Sequence, residues 1–487
     1  MSEAASVPFS ETKVPQPAER LNRGALGLVD ISASTMANIG PAYSFYFGFG
    51  FLVFTAGVAA PLTIIAAVIA VALLGNTLAQ FSRAHPSTGG FISFVGKSFG
   101  GTSAVTTALL CGIGYIIAIS SVLAIVGGYL SIVLNYYFGW NIPWGILSVI
   151  LTAGSMVMMV RGVSVSTRLA GLFFGFEMLV LIVVSIVLII KNGGNLSLAP
   201  FEPSHLHNGF TGLAAGFPLA VYLFIGWENS AALAEETANP RREVPRAIFL
   251  SVALMGVTYL LTAYATLAGF GFSASKTTAA EIPFISAAHS VLAAFTFFAF
   301  FAGMTSTLGV LISAVNSQCR LIFNAGREGL LPSWLGKVHP TRRTPVNAIL
   351  AFTGIAGALI CGWALGHVFG GTTGSMDPIG FFVESSTMGT ILLLVVYFLS
   401  NLALPFYYRK FRPQEFEPVK HVVLPVLGMA AIAVPVYYLC KPGQAPPYSW
   451  FPYAALAIVV VSILYALVLN RRDPALGDRV GSIIADE

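Results

Sequence analysis

Two short stretches decide how the chain folds: Asn38-Ile39-Gly40-Pro41 and Phe224-Ile225-Gly226-Trp227-Glu228. The first interrupts the first long apolar run of the chain, and the second interrupts the sixth. Pro41 has no N–H and disfavours helix at the residue before it. Asn38 tolerates unusual dihedrals, and Gly40 lets another group approach the backbone closely. The second stretch joins a glycine, two aromatics and a carboxylate inside an otherwise apolar run. One such break carries little weight, because Gly and Pro are common in membrane helices. Two breaks at matching positions of two halves point to an inverted-repeat transporter with its ligand at the breaks, near the membrane midplane.

The rest of the composition agrees. Of 487 residues, 56% are hydrophobic and 9% charged, against roughly 25% charged in a soluble domain. That excludes a soluble globular enzyme. A span takes about 20 apolar residues, and apolar runs separated by Gly, Pro or charge predict twelve helices. They cover 26–49, 58–80, 102–134, 143–160, 169–190, 209–233, 246–270, 283–318, 346–366, 380–404, 421–440 and 450–470. The expected fold class is therefore an all-α integral membrane bundle, since open strands cannot satisfy their backbone in lipid and the alternating segments of a barrel are absent.

Charge distribution predicts orientation. With the N-terminus in the cytoplasm only Lys191, Lys276 and Lys441 fall outside, leaving the other 22 of 25 Lys and Arg inside. The positive-inside rule then predicts both termini cytoplasmic. Residues 1–22 form a polar tail without the apolar core of a signal peptide. Four cysteines without CxxC spacing suggest neither a zinc site nor a disulfide framework. His205 and His207 lack the further ligands that a metal site needs. No phosphate-binding loop, dinucleotide fingerprint or catalytic triad appears, so no nucleotide-driven step is expected within this chain.

A span broken at its centre exposes orphan N–H groups at one half-helix start and orphan C=O groups at the other end. Such a site can hold a carboxylate and an ammonium together. Glu228 sits at the sixth-run break, where a charge costs several kcal/mol unless it faces a cavity or is protonated. It is a candidate for carrying the transported proton or pairing with a ligand amine. Glu177 is the second intramembrane carboxylate, a candidate either for coupling or for a helix-to-helix hydrogen bond. Thr305, Ser306 and Thr307 could ligate sodium, although Ser and Thr more often bond a carbonyl of the preceding turn.

Three longer motifs resemble one family. Ala234 to Ile248, through Glu235, Glu236, Asn239, Pro240 and Arg241, is similar to the loop after the sixth span of amino acid–polyamine–organocation permeases. Arg320 to Pro345, with Gly326-Arg327-Glu328-Gly329-Leu330-Leu331-Pro332, and Phe81 to Phe91 resemble two further segments of the same family, in the same order. The resemblance implies a leucine-transporter-type fold: two inverted five-helix repeats, 23–190 and 209–410, an extracellular loop at 191–208, two additional helices in 411–470, and a cytoplasmic tail at 471–487. It places substrate contacts on Asn38, Ile39, Gly40, Cys111, Tyr115, Phe224, Ile225, Gly226 and Trp227, with Ala37 beside them; the proton-coupling candidates, Glu228 and Glu177, come from the cost of an intramembrane carboxylate and not from the resemblance. Asn38 departs from the family's first glycine, and Glu177 stands where some members carry a lysine.

The function expected from these residues is secondary active transport of an amino acid across the plasma (inner) membrane, as proton symport or exchange. A polyamine or organic-cation importer is the alternative, favoured by the two carboxylates, and a non-transporting sensor is the rival from another class. No cofactor is expected beyond a coupling proton, with sodium the minority reading. The expected partners are a small amino acid or amine and the lipid bilayer, with no nucleic acid and the oligomeric state left open.

Overall fold

A computed structural model describes residues 21, 24–161, 163–369, 377–481 and 485; most of the expected N-terminal tail lies outside them. Among the described residues the regular structure is helical, apart from one isolated parallel bridge between Leu26 and Thr237. Among the described residues ten stretches are long and apolar enough to cross a membrane.

The first stretch holds three helices. α1 (Leu28–Ile39) begins where the Asp30 carboxylate accepts the Gly27 N–H at 2.9 Å. It ends at Gly40, whose φ of 63° is the left-handed conformation that a glycine adopts without a Cβ clash. α2 (Pro41–Ala56) starts on Pro41, whose missing N–H would have been an orphan at that position. α3 (Ala60–Ala84) returns, and a short helix, α4 (Phe91–Phe99), leads into α5 (Gly101–Phe138), 38 residues long. α6 (Trp144–Arg161) and α7 (Val163–Lys191) follow.

The sixth run forms α8 (Phe210–Tyr222), then a tightly turned segment, then the single turn α9 (Asn229–Ala232). α10 (Pro240–Gly269) and the short α11 (Ala274–Thr278) precede a departure from the predicted boundaries. The span expected at 283–318 is two helices, α12 (Pro283–Val291) and α13 (Ala293–Arg327), separated by Leu292 in an extended conformation. His289 Nδ1 lies 3.0 Å from Thr296 Oγ1 across this bend. No Gly or Pro marks the site in the sequence. α14 (Val346–Phe369), α15 (Pro378–Phe411), α16 (Leu424–Cys440), α17 (Phe451–Arg472) and the short α18 (Leu476–Arg479) complete the chain.

The helices sort by burial. The apolar windows of α13, α15 and α5 are 78%, 72% and 67% buried, whereas those of α16 and α17 are 22% and 17% buried. α13, α15 and α5 therefore form the inside of the bundle, and α16 and α17 present apolar residues outward, as lipid contact requires. α15 packs along α5, α13 along α7, and α10 along α3. The breaks in the first and sixth runs meet inside this frame.

Candidate functional site

At the first break α2 starts in the middle of the bundle, so its leading N–H groups need partners from elsewhere. They find them on two other helices. The Ala42 N–H donates to Glu177 Oε2 of α7 at 3.1 Å, and the Tyr43 N–H donates to Ser306 Oγ of α13 at 2.9 Å. On the other side of the break, Ser44 Oγ donates to the Ile39 carbonyl at 2.7 Å. Glu177 is fully buried, and its Oε1 has no partner. A carboxylate at a helix N-terminus is favoured by the axial dipole, so Glu177 stands where α2 attracts negative charge.

The sixth-run break is built differently. The N–H groups of Phe224, Ile225, Trp227 and Asn229 all bond carbonyls three residues earlier, at 3.0–3.1 Å. Gly226, at φ 107°, is the residue that lets the chain turn this sharply. Its N–H donates to Glu228 Oε2 at 3.1 Å, so Glu228 folds back over its own turn, while Glu228 Oε1 accepts the Tyr115 hydroxyl at 2.8 Å. The two breaks touch: a Cβ on Gly226 would lie 2.9 Å from Asn38 Cγ. Close approach at this point thus requires glycine.

Two small cavities flank the contact, and Asn38 and Gln318 line both of them. The cavity on the α2 side has a volume of ≈ 40 Å³ and a mainly apolar wall that includes Ile39, Ile119, Ile225, Val310 and Leu393. The cavity on the α9 side is ≈ 10 Å³, room for about one water-sized group, and is lined by Tyr115, Glu228, Asn229 and Phe91 among others. A larger, open recess of ≈ 390 Å³ lies beyond α2's far half, against Tyr46, Phe47 and Glu281.

Of the residues singled out from the sequence, Asn38, Ile39, Tyr115, Ile225 and Glu228 line one or both small cavities. Gly40 and Gly226 form the backbone at the contact. Glu177 caps α2 beside it. Ala37, Cys111, Phe224 and Trp227 are buried but line neither small cavity. Phe224 packs edge-on against Tyr259 at 5.2 Å, and Trp227 lies between Phe91 and Tyr397, at 6.5 and 5.7 Å. Thr305 and Thr307 bond carbonyls three residues earlier, leaving only Ser306 of that trio turned to the break. The reading of the sequence missed Asn229 and Gln318. Gln318 stands two residues before Arg320, so it reads as the polar end of a span.

One end of the bundle is closed by charge. Arg320 Nε meets Glu236 Oε2 at 2.5 Å, and Arg327 Nη2 meets Glu235 Oε2 at 2.7 Å, all four side chains being 5% exposed or less. Glu235 Oε1 also accepts the Leu21 N–H at 2.7 Å. These contacts explain two of the family-like motifs, because the loop after α9 and the end of α13 are complementary halves of one buried ion-pair network. Next to it the Gly481 N–H donates to Glu328 Oε1 at 2.9 Å, and the Ala485 N–H to the Pro86 carbonyl at 2.9 Å. Burial pushes the Glu328 carboxyl up to about 7 and holds the His85 imidazole down at about 4.

Two discontinuous helices thus meet at a buried carboxylate within an apolar multi-helix bundle, and the proteins that this chain resembles are named permeases and transporters, not enzymes. The profile of the amino acid permease family matches residues 26–478, and the chain belongs to that family. An uncharacterized amino acid permease of Bacillus subtilis is 24% identical over 326 residues, 66% of this chain and 74% of that protein. The branched-chain amino acid permease of the same organism is 23% identical over 429 residues, 83% of this chain and 85% of that one. The mouse Asc-type amino acid transporter 1 is 27% identical over 297 residues, 58% and 54% of the two chains. Among solved structures, a variant of the Eremococcus coleocola manganese transporter superposes with a TM-score of 0.57 at 11% identity, covering 93% of this chain and 98% of its own. That likeness is one of fold.

Proposed function

We propose that the protein is a secondary active transporter of amino acids, working by alternating access around the contact between the two breaks. The observation that carries this reading is the convergence of Asn38, Gly226, Glu228 and Tyr115 at that contact, with a small cavity on either side. Family membership and the permease names of the relatives support the substrate class. On this reading the helices form two inverted five-helix repeats plus two, twelve spans in all, in the plasma membrane with both termini cytoplasmic. The charged end of the bundle is then the cytoplasmic gate.

Glu228 and Glu177 are the coupling groups in this proposal, because they are the carboxylates at the two breaks. Uptake of radiolabelled amino acids by proteoliposomes under an imposed pH gradient tests it. Glu228→Gln keeps the shape of the neutral acid and cannot titrate, so gradient-driven uptake should fall sharply while substrate-for-substrate exchange persists. Normal gradient-driven uptake in both Glu228→Gln and Glu177→Gln would defeat the coupling assignment. Labelling of Arg241→Cys by an impermeant reagent from outside intact cells would defeat the orientation.

One observation favours a second reading, import of an amine without a carboxylate. The N–H groups of Gly40, Ala42, Tyr43, Ser44 and Gly226 all have acceptors within the chain, and two of those acceptors are its own carboxylates. A substrate carboxylate would have to displace one of them. Competition of uptake by putrescine and not by amino acids distinguishes the two readings.

A further inference from the structure

Beyond α17 the chain turns back onto the charged end of the bundle. Leu476 and Val480, four residues apart and so on one helical face, are both 0% exposed. Val480 fills a notch between α4 and α5, where a Cβ on Gly96 would collide with Val480 Cγ1 and lie 2.8 Å from Ala104 Cβ. Gly477 packs on Gly101, whose Cβ would meet the Gly477 N at 3.1 Å. The Asp473 carboxylate pairs with the Arg479 guanidinium and closes the segment on itself. From this seat the segment reaches across to the end of α13. The Gly481 N–H donates to Glu328 Oε1 at 2.9 Å, and Arg479 Nη2 lies over Gly329, 3.3 Å from where a Cβ would stand. Gly481, at φ 61°, also sits against Lys97 of α4 and His85 of the α3–α4 loop, since its own Cβ would lie 2.9 Å from Lys97 Cε and 3.0 Å from His85 Nε2.

The elements joined in this way are the ones that carry a buried ion pair. Arg327, next to Glu328, pairs with Glu235, and the Glu235 N–H donates to Thr88 Oγ1 of the α3–α4 loop at 3.3 Å. Any movement that draws the end of α13 away from Glu235 and that loop must break the Gly481–Glu328 bond or pull Val480 from its notch. We propose that residues 473–481 form an autoinhibitory strap, which holds the charged end of the bundle shut and must let go before that end opens. The proposal rests on the reading of the protein as a transporter that opens there. Burial of one valine side chain biases an equilibrium by roughly ten- to a hundredfold. A seat of that size is strong enough to hold and small enough to release.

The experiment uses the purified full-length protein in detergent, with its four native cysteines replaced by alanine. Ala232→Cys, at a position that lines the α9-side cavity and is 4% exposed, reports opening of the charged end by its rate of reaction with a water-soluble maleimide. Ala299→Cys, at a position that is 0% exposed near the opposite end of α13 from Arg327, reports general loosening. Val480→Asp, and a chain that stops after Arg472 at the end of α17, should each speed labelling of Ala232→Cys about tenfold or more, with Ala299→Cys unchanged. Val480→Ala keeps part of the apolar contact and should fall between these and the wild type. Unchanged labelling of Ala232→Cys in both variants would overturn the strap. Equal acceleration at both positions would overturn it too, because the segment would then only support the fold, and slower labelling would make it a prop of the open state instead. Exchange of radiolabelled amino acids in proteoliposomes is read beside the labelling. Exchange by the wild type with unchanged labelling in the variants would defeat the strap alone, whereas faster labelling without exchange of any amino acid would defeat the transporter reading alone.

Discussion

The two breaks solve one problem in opposite ways. Each leaves backbone groups without helical partners inside the bundle. In the sixth run the N–H groups are satisfied within the same stretch, by tight turns and by Glu228 reaching back two residues, and only carbonyls, such as that of Leu223, take a partner from another helix. In the first run they are satisfied by side chains 135 and 263 residues away, Glu177 and Ser306. A locally satisfied break moves as a unit, whereas a remotely satisfied one changes partners whenever α7 or α13 shifts. The first break is therefore the one whose hydrogen bonding reports on helix movement.

The contact between the breaks should be the most sensitive point. Gly226→Leu adds a side chain at φ 107° and against Asn38, a conformational strain of about 1–3 kcal/mol before any clash. Ligand binding should fall more than about a hundredfold, while the protein still inserts and elutes as a single species. Unchanged affinity would remove the breaks from the site.

Stability should separate the two designs next. Glu177→Ala leaves the Ala42 N–H buried and unpaired, a loss of about 1–3 kcal/mol, whereas Glu177→Gln keeps an acceptor and should cost well under half of that. Thermal unfolding in detergent reads the difference. Equal melting temperatures for the two variants would mean that α2 does not depend on remote capping. Ser306→Ala removes one neutral acceptor and should cost about 1 kcal/mol, so its melting temperature should lie between those of the wild type and Glu177→Ala.

Both breaks were legible in the sequence because Pro and Gly punctuate apolar runs for reasons local to a few residues. What lay beyond local chemistry was not. The bend at Leu292 has no Gly or Pro to mark it, and apolar periodicity continues through it. Gln318 and Asn229 became part of the candidate site only through which side chains α13 and α9 turn inward, a matter of tertiary packing. Phe224 and Trp227 lie at the break, and their rings pack against Tyr259, Phe91 and Tyr397, contacts that the sequence does not encode locally. The resemblance marked Glu235, Glu236, Arg320 and Arg327 as motif residues without their pairing, which only the three-dimensional contact supplies.

The smallest expected effect is a control placed away from both breaks. Glu328 is held at about 7 by burial, against an ordinary 4.5. Its folded state therefore binds the proton more tightly than its unfolded state, and the stability this gives is full below about pH 4.5 and lost as pH rises through about 7. Glu328→Gln stays neutral throughout. Its melting temperature should exceed that of the wild type by a few degrees at pH 8 and match it near pH 4.5. A constant difference across that range would assign the effect to packing.

Remote capping also sets an order of assembly. Ribosomes add about 5–20 residues per second, so Glu177 emerges roughly 7–27 s after Ala42, and Ser306 later still. Until then the start of α2 has orphan donors that hydrocarbon cannot satisfy. The first broken helix must wait at the translocon or in the lipid headgroup layer until α7 and then α13 arrive, whereas the sixth break carries the acceptors for its N–H groups with it. In nascent chains truncated before Glu177 a cysteine placed in α2 should react with a water-soluble thiol reagent, and in chains that extend past α13 it should not.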